Sequence, residues 1–425
     1  MNPVLYVGSH PNDIEALTAI ARQAQDQLGL DALFSSVAPP DVASDVHRDL
    51  AVQGFPTVDR SVVVAQPNND RNPSRRARRW RDANLAIVER VVSEMQPAAV
   101  LGTVNPAPYL LFDGVAARGV PAVLLQLWFW GDRSFRRAWR ADDHRARDAG
   151  ASRRQRLRRR LERGAEALHG LRQHFEWDVR HATVAVQGPA MRRQLVDDGV
   201  PAERVVVTGN PVLDDLHRMR NGSNAARERV RTQLAIPGDR HLITHFRSHE
   251  DRFPKIDRRT REEAQATVIR SLRAAAPDAT VVVKLHPKES DGERALIRSI
   301  DADVVIAGTD VDANELIAAS ALVVGTFSTT LLQAVALDRP AVSALLWPDL
   351  DYWCRATDWS GVDRAASGPA LTEAVRRQLG EPANQAQWAA RRAAFRDDQF
   401  VLDGHGTQRV VDLLERLLQA QGTRS

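Results

Sequence analysis

Lys284 and His286 stand two residues apart in VVVKLHPKES, where an apolar, β-branched run is stopped by Pro287. Side chains alternate along a strand, so residues two apart project to one face. An ammonium and an imidazole placed together at a strand end suit a single phosphate group, because hydrogen bonds to an ionised acceptor are the strong kind. A satisfied histidine at a strand end is the structural alternative. Of the 58 Lys and Arg residues only Lys255, Lys284 and Lys288 are lysines, and two of these flank His286. A compact ammonium is not interchangeable with a guanidinium, so lysine kept there points to function.

A second group lies in GTFSTTLLQAVALDRPAV from Gly325, which reads as strand, hydroxyl-rich turn and helix. Ser328, Thr329 and Thr330 fall at the helix start. A helix N-terminus carries about half a positive charge and several unpaired N–H groups, which favours a phosphate by roughly 0.3 to 2 kcal/mol. Ser and Thr are also ordinary N-caps, and the two roles are compatible, Ser328 capping while Thr329 and Thr330 meet a ligand. A third group is VVVTGNPVLDDL, whose Gly209–Asn210–Pro211 turn sets a backbone N–H and an amide side chain at a domain junction. In GSHPNDIEAL, at the end of the first apolar run, His10 and Asp13 are the acid–base candidates; otherwise they shape a strand-to-helix turn. Asp132, after LLQLWFWGD, is a further carboxylate at a strand end. No Asp-x-Asp pair occupies such a position, and Asp214 with Asp215 reads as the acidic first turn of a helix. No metal site and no cofactor are expected.

The elements that position these groups are short, continuously apolar runs separated by amphipathic stretches. VLYVG, ALFSSVA, SVVVA, AAVLGTV, AVLLQL, TVAVQG and RVVVTG form one series, beginning at Val4, Ala32, Ser61, Ala98, Ala122, Thr183 and Arg204. HLITHF, TVVVKL, DVVIAG, ALVVGTF and PAVSALL form another, from His241, Thr280, Asp303, Ala321 and Pro340. Strands apolar on both faces belong to parallel sheets covered by helices on each side. The expected fold is α/β, with two tandem doubly wound, Rossmann-like domains facing a cleft at the carboxyl ends of their strands. The domains span 1–215, with a basic helical insert at 133–180, and 216–403. Residues 404–425 form a closing helix with apolar positions at Val410, Val411, Leu414, Leu417 and Leu418.

In this order the three groups resemble the GT-B glycosyltransferase superfamily, in the branch of CDP-glycerol glycerophosphotransferases, capsule and Kdo transferases and sialyl- and polysialyltransferases. TGNPVLD is also similar to the interdomain segment of non-hydrolysing UDP-N-acetylglucosamine 2-epimerases. The likeness covers residues 180–340 and DGHGTQRVVDLL near the C-terminus. It implies that His286, Ser328 and Thr329 bind the phosphates of a CMP-, CDP- or UDP-linked donor, with Lys284 and Thr330 beside them and Gly209, Asn210 and Gln333 lining the donor side. It further implies metal-independent transfer of a unit to a cell-surface glycan, polymer or lipid-linked acceptor. Two departures stand out. Gln333 occupies the place of the ribose-binding glutamate of UDP-sugar relatives, and LLQLWFWGD lacks the Leu-Gln-His-Gly strand end of many relatives.

Bulk properties bound these readings. A chain of 425 residues with 43% hydrophobic content is large enough for two or three domains. No apolar run approaches the roughly 20 residues of a membrane span. The N-terminus runs into a strand pattern without an export signal, so cytoplasmic residence is expected, with a peripheral seat on the inner face of the membrane as a further possibility. Cys354 stands alone and reads as a packing residue. Fifteen arginines fall between Arg133 and Arg180. They form either a solvated helical surface or a surface for anionic lipid or glycan. The arginine-dense stretch from Arg153 lacks interleaved aromatic residues until Phe175 and Trp177, so a nucleic-acid role is disfavoured. Besides transfer, two readings stay open: an epimerase sharing fold and phosphate grip, and a non-catalytic nucleotide-sugar-binding protein. A zinc deacetylase, suggested by HPND, lacks its base, since Asn12 stands there.

Overall fold

Valine- and leucine-rich runs with no polar face cannot lie at a surface, and in the computed structural model they form strands buried on both sides. Residues 2–8, 11–37, 40–63, 70, 72–103, 110–127, 141, 151–168, 179–221, 223–237, 240–247, 257–286, 291–326, 329–346 and 359–422 are described by it. Among these residues the first sheet comprises β1 (Val4–Gly8), β2 (Ala32–Ser36), β3 (Ala99–Gly102), β4 (Ala122–Leu125), β5 (Thr183–Val186) and β6 (Val205–Val207). Its order is β2-β1-β3-β4-β5-β6, and every pairing is parallel. The second sheet comprises β7 (Leu242–Phe246), β8 (Thr280–Lys284), β9 (Val305–Ala307), β10 (Leu322–Gly325), β11 (Ala341–Ala344) and β12 (Asp363–Ala365). Its order is β12-β11-β10-β7-β8-β9, again wholly parallel.

Two sequence expectations need correction. The SVVVA run from Ser61 is no strand at its start: Arg60–Val62 is a 3-10 turn, and Val63 enters the core of the first sheet from it. Conversely, β12 was not expected, because Asp-Arg-Ala carries no apolar run; it is a three-residue edge strand.

Helix boundaries follow local chemistry. Asn72, Asp257, Asp312 and Ser367 each cap a helix, accepting from the backbone N–H three residues on, and Pro73 and Pro369 sit in first turns where no N–H is needed. Gly8 lets the helix Pro11–Leu28 descend onto β1, since a Cβ there would lie 2.9 Å from Ile14 Cδ1.

The chain divides into two compact units, one running to Asp214 and resuming at His405, the other spanning Asp215–Gly404. The closing helix, Gly406–Gly422, therefore belongs to the first unit. Its Val410, Val411, Leu413 and Leu414 share a core with Ile14, Leu17, Ile20 and Ala21. Burying each valine or leucine contributes about 1.5 to 3 kcal/mol. Asp214 clamps the start of this helix, its carboxylate accepting from Gly406 N and Thr407 N at 2.8 Å and from Thr407 Oγ1 at 2.9 Å. Glycine fits closely at 406: a Cβ would lie 3.0 Å from both the Asn210 carbonyl carbon and Asp214 Oδ1, and those neighbours would have to give way. Among the described residues no helix is long and apolar enough to cross a membrane.

Candidate functional site

In an open parallel sheet, ligands bind beyond the carboxyl ends of the strands where the strand order reverses. In the second sheet that point lies between β7 and β10. β7 delivers Arg247 there, and its backbone N–H donates to Lys284 O at 3.2 Å, so the exits of β7 and β8 are tied together. The Arg247 side chain is only 6% exposed, and Nη1 donates to Glu293 Oε2 at 2.6 Å. His286 follows β8 by two residues and is half-buried. On the other side of β7, β10 ends at Gly325, and Thr329–Ala336 is a helix beginning four residues later. Thr329 is exposed at its first position, with Thr330 and Gln333 half-buried behind it. Strands lie about 4.8 Å apart, so the ends of β8 and β10, two strands apart, are separated by roughly 10 Å. Arg247 follows β7, the strand between them.

Beneath these groups His245 is buried in β7, Nδ1 at 3.3 Å from Val324 O and Nε2 at 3.3 Å from Gln265 Oε1. Burial, and then the charge of Arg247, push its pKa down to about 4. It is a neutral strut of the switch point.

The expectation for Lys284 is corrected. Its side chain is buried, and Nζ donates to Gly308 O and, at 2.7 Å, to Val311 O. Burial lowers its pKa, against the opposing charges of Asp310 and Asp312. An ammonium committed to two carbonyls fixes the turn after β9, and does not share a phosphate with His286. Asn210 is corrected likewise. Its Nδ2 donates to Leu127 O at 2.9 Å and its Oδ1 accepts from Val212 N at 3.1 Å, so the amide joins the exit of β4 to the turn after β6. Gly209 serves that turn with φ +80°, in the left-handed region that glycine occupies freely.

In the first unit Asp13 lies in the first turn after β1, fully buried. Across the reversal of strand order, Thr103 leaves β3 with its amide donating to Val7 O at 3.1 Å and its hydroxyl buried without a hydrogen-bond partner among the described residues. His10, Ser328, Asp132 and Trp128 to Trp130 lie outside the described residues, as does Cys354. Among the described residues no three His, Cys, Asp or Glu side chains gather as metal ligands would. Asp214 is the helix clamp described above, and Asp215 pairs with Arg218. Arg247 and Thr103 were missed in the sequence; the one signal was their place directly after apolar runs.

Of the basic insert, Arg153–Leu168 is a helix. Ala165 packs with Ala77 and Trp80, and Glu162 pairs with Arg76 at 3.1 Å and Arg158 at 2.9 Å. Leu157, Leu161 and Leu168 are 58%, 58% and 79% exposed. At 100° per residue they fall within about 40° of one another, a leucine stripe bordered by arginines.

Two tandem, wholly parallel α/β units are the fold of the GT-B class, and solved structures agree in fold. UDP-GlcNAc 2-epimerase from Neisseria meningitidis bound to UDP-GlcNAc superimposes with a TM-score of 0.60 at 14% identity, covering 98% of this chain and 100% of that one. The wall teichoic acid polymerase TagF, soaked with CDPG, gives 0.53 at 12% identity over 99% and 89% of the two chains. CalG4, the calicheamicin glycosyltransferase, gives 0.54 at 14% over 99% and 98%.

More particularly, residues 164–416 match the CDP-glycerol:poly(glycerophosphate) glycerophosphotransferase family, and the chain belongs to that family of transferases. A probable UDP-N-acetylglucosamine 2-epimerase of Ralstonia nicotianae is 31% identical over 118 residues, which cover 26% of this chain and 30% of that protein's length.

Proposed function

We propose that the protein transfers a unit from a nucleotide-activated donor to an anionic glycan or polymer of the cell envelope. The observation that carries this reading is the placing of Arg247, His286 and the Thr329 helix start around one switch point of the second sheet. His286 and Arg247 supply charge-assisted donors and the helix start its N–H groups. Together they hold the donor phosphates and stabilise the negative charge that grows on the leaving nucleotide. The departing phosphate takes the bonding electrons as the acceptor hydroxyl attacks, and the hydroxyl proton goes to a base, for which His10 and Asp13 are the candidates. No metal is invoked for this neutralisation, so turnover is expected to survive EDTA. Family membership makes CDP-glycerol the first donor to try and a poly(glycerophosphate) the first acceptor. The Arg153–Leu168 helix suits the acceptor side: its arginines attract an anionic polymer or leaflet, and its leucine stripe suits a peripheral seat on the inner membrane face.

Incubation with CDP-glycerol, and then CMP-, UDP- and GDP-linked donors, with and without acceptor, separates the possibilities. Acceptor-dependent release of nucleotide is the expected result. Epimerisation of a UDP-linked sugar without nucleotide release would support the second reading, which the Ralstonia relative favours. Binding without turnover across the panel would make the protein a non-catalytic receptor.

A further inference from the structure

At the opposite, amino-terminal edge of the second sheet, the turn between the helix Thr329–Ala336 and β11 carries Asp338 and Arg339. Arg392 and Arg396 from the helix Pro382–Gln399 converge on it, and the charge of Arg227, from the helix Ser223–Gln233, reaches Arg339. Arg392 Nε and Arg396 Nη1 stop 3.9 and 3.8 Å from Asp338 Oδ1, beyond hydrogen-bond range. Arg392 is 6% exposed, and its Nη1 reaches Gln378 Oε1 at 3.5 Å. Arg396 also pairs with exposed Asp397 at 2.9 Å. Arg227 and Arg392 stand near enough to Arg339 that, after burial itself, their charges lower its pKa. Four buried donors here, Arg227 Nε, Arg339 Nε, Arg392 Nε and Gln378 Nε2, have no hydrogen-bond acceptor among the described residues.

A buried donor left unmade costs about 1 to 3 kcal/mol, so four of them on separate elements, with positive charge in excess, are complementary to an acceptor-rich anion. Guanidinium donors on separate elements suit the several oxygens of a phosphate. We propose that Arg227, Arg339, Arg392 and Gln378 form a second anion site, which takes a phosphate or diphosphate group. It does not depend on the donor reading. The eight-residue helix Thr329–Ala336 separates the two places by about 12 Å, at 1.5 Å rise per residue, so one phosphate does not serve both.

Calorimetric titration of the full chain with inorganic pyrophosphate, at ionic strength fixed with chloride and with or without saturating CDP, tests this. One saturable pyrophosphate site is expected to persist under CDP. Arg339→Gln and Arg227→Gln should each weaken it at least tenfold, and Arg339→Lys about threefold, while CDP affinity and the melting transition stay unchanged. His286→Ala should leave it intact. Absence of saturable binding in the unmodified chain overturns the proposal and makes the arginines a C-terminal cap for the helix. Loss in His286→Ala with retention in the arginine variants overturns it as well. Failure of CDP to bind counts against the donor reading alone, since the pyrophosphate titration is then read without it.

Discussion

The two sheets reverse their strand order at different places and with opposite chemistry. In the first, β1 lies between β2 and β3, and the side chains beyond it include a buried carboxylate, Asp13, and the Thr103 hydroxyl. In the second, β7 lies between β10 and β8, and the groups beyond it are a guanidinium, an imidazole and a hydroxyl: Arg247, His286, Thr329. One architecture thus carries a buried carboxylate at the switch point of one unit and a guanidinium, an imidazole and a hydroxyl at that of the other. The difference shows that fold supplies the location of a site and only the residues at strand exits supply its chemistry.

The strongest way to break this comparison is Asp13→Asn, which keeps shape and removes the basic oxygen. Turnover is expected to fall about 10²- to 10⁴-fold, the usual worth of a general base, with nucleotide affinity unchanged. A lower melting temperature with normal turnover would reduce Asp13 to a structural carboxylate.

Next in size, His286→Ala is expected to weaken nucleoside diphosphate binding by about 1.5 to 3 kcal/mol without loss of fold. Unchanged affinity on calorimetric titration removes His286 from the grip.

His245 sharpens the comparison through pH. The unfolded chain protonates this imidazole near pH 6.5 but the folded chain only near 4, so its contribution to stability is full above pH 6.5 and is lost as pH falls toward 4. By pH 5 the loss is roughly 2 kcal/mol. Urea unfolding at pH 7 and pH 5 should show this fall, and His245→Gln should flatten it.

The smallest effect is that of Thr329→Val, which removes one hydroxyl but leaves the helix amides in place. A loss of about 0.5 to 1.5 kcal/mol in nucleotide binding is expected; a larger loss would mean that the hydroxyl, not the helix start, carries the contact.

Eleven of the strands were legible because parallel strands buried on both faces read as continuous apolar runs. The Ser61 run misled for a related reason: Val63 is truly buried, but burial does not distinguish a strand from a 3-10 turn that drops one side chain into a core. β12 was invisible because an edge strand needs no apolar run. Lys284 and Asn210 were assigned to ligand, while their partners lie 24 or more residues away at Gly308, Val311 and Leu127, and no local spacing records such pairings. The arginine-dense insert drew attention in the sequence, yet the buried guanidinium groups of Arg247 and Arg392 lie outside it.

The Asp214 clamp has a temporal meaning. Its carboxylate receives the amide of Gly406, 192 residues further along the chain. At 5 to 20 residues per second, synthesis takes roughly 10 to 40 s to cross that interval. During it, the apolar face of Pro11–Leu28 that Val410 and Leu414 will cover stays open, while every strand of the second sheet is made. The unit made first is therefore the unit finished last. Any chaperone acting on this nascent chain meets an unsealed N-terminal core beside a second unit whose strands are complete.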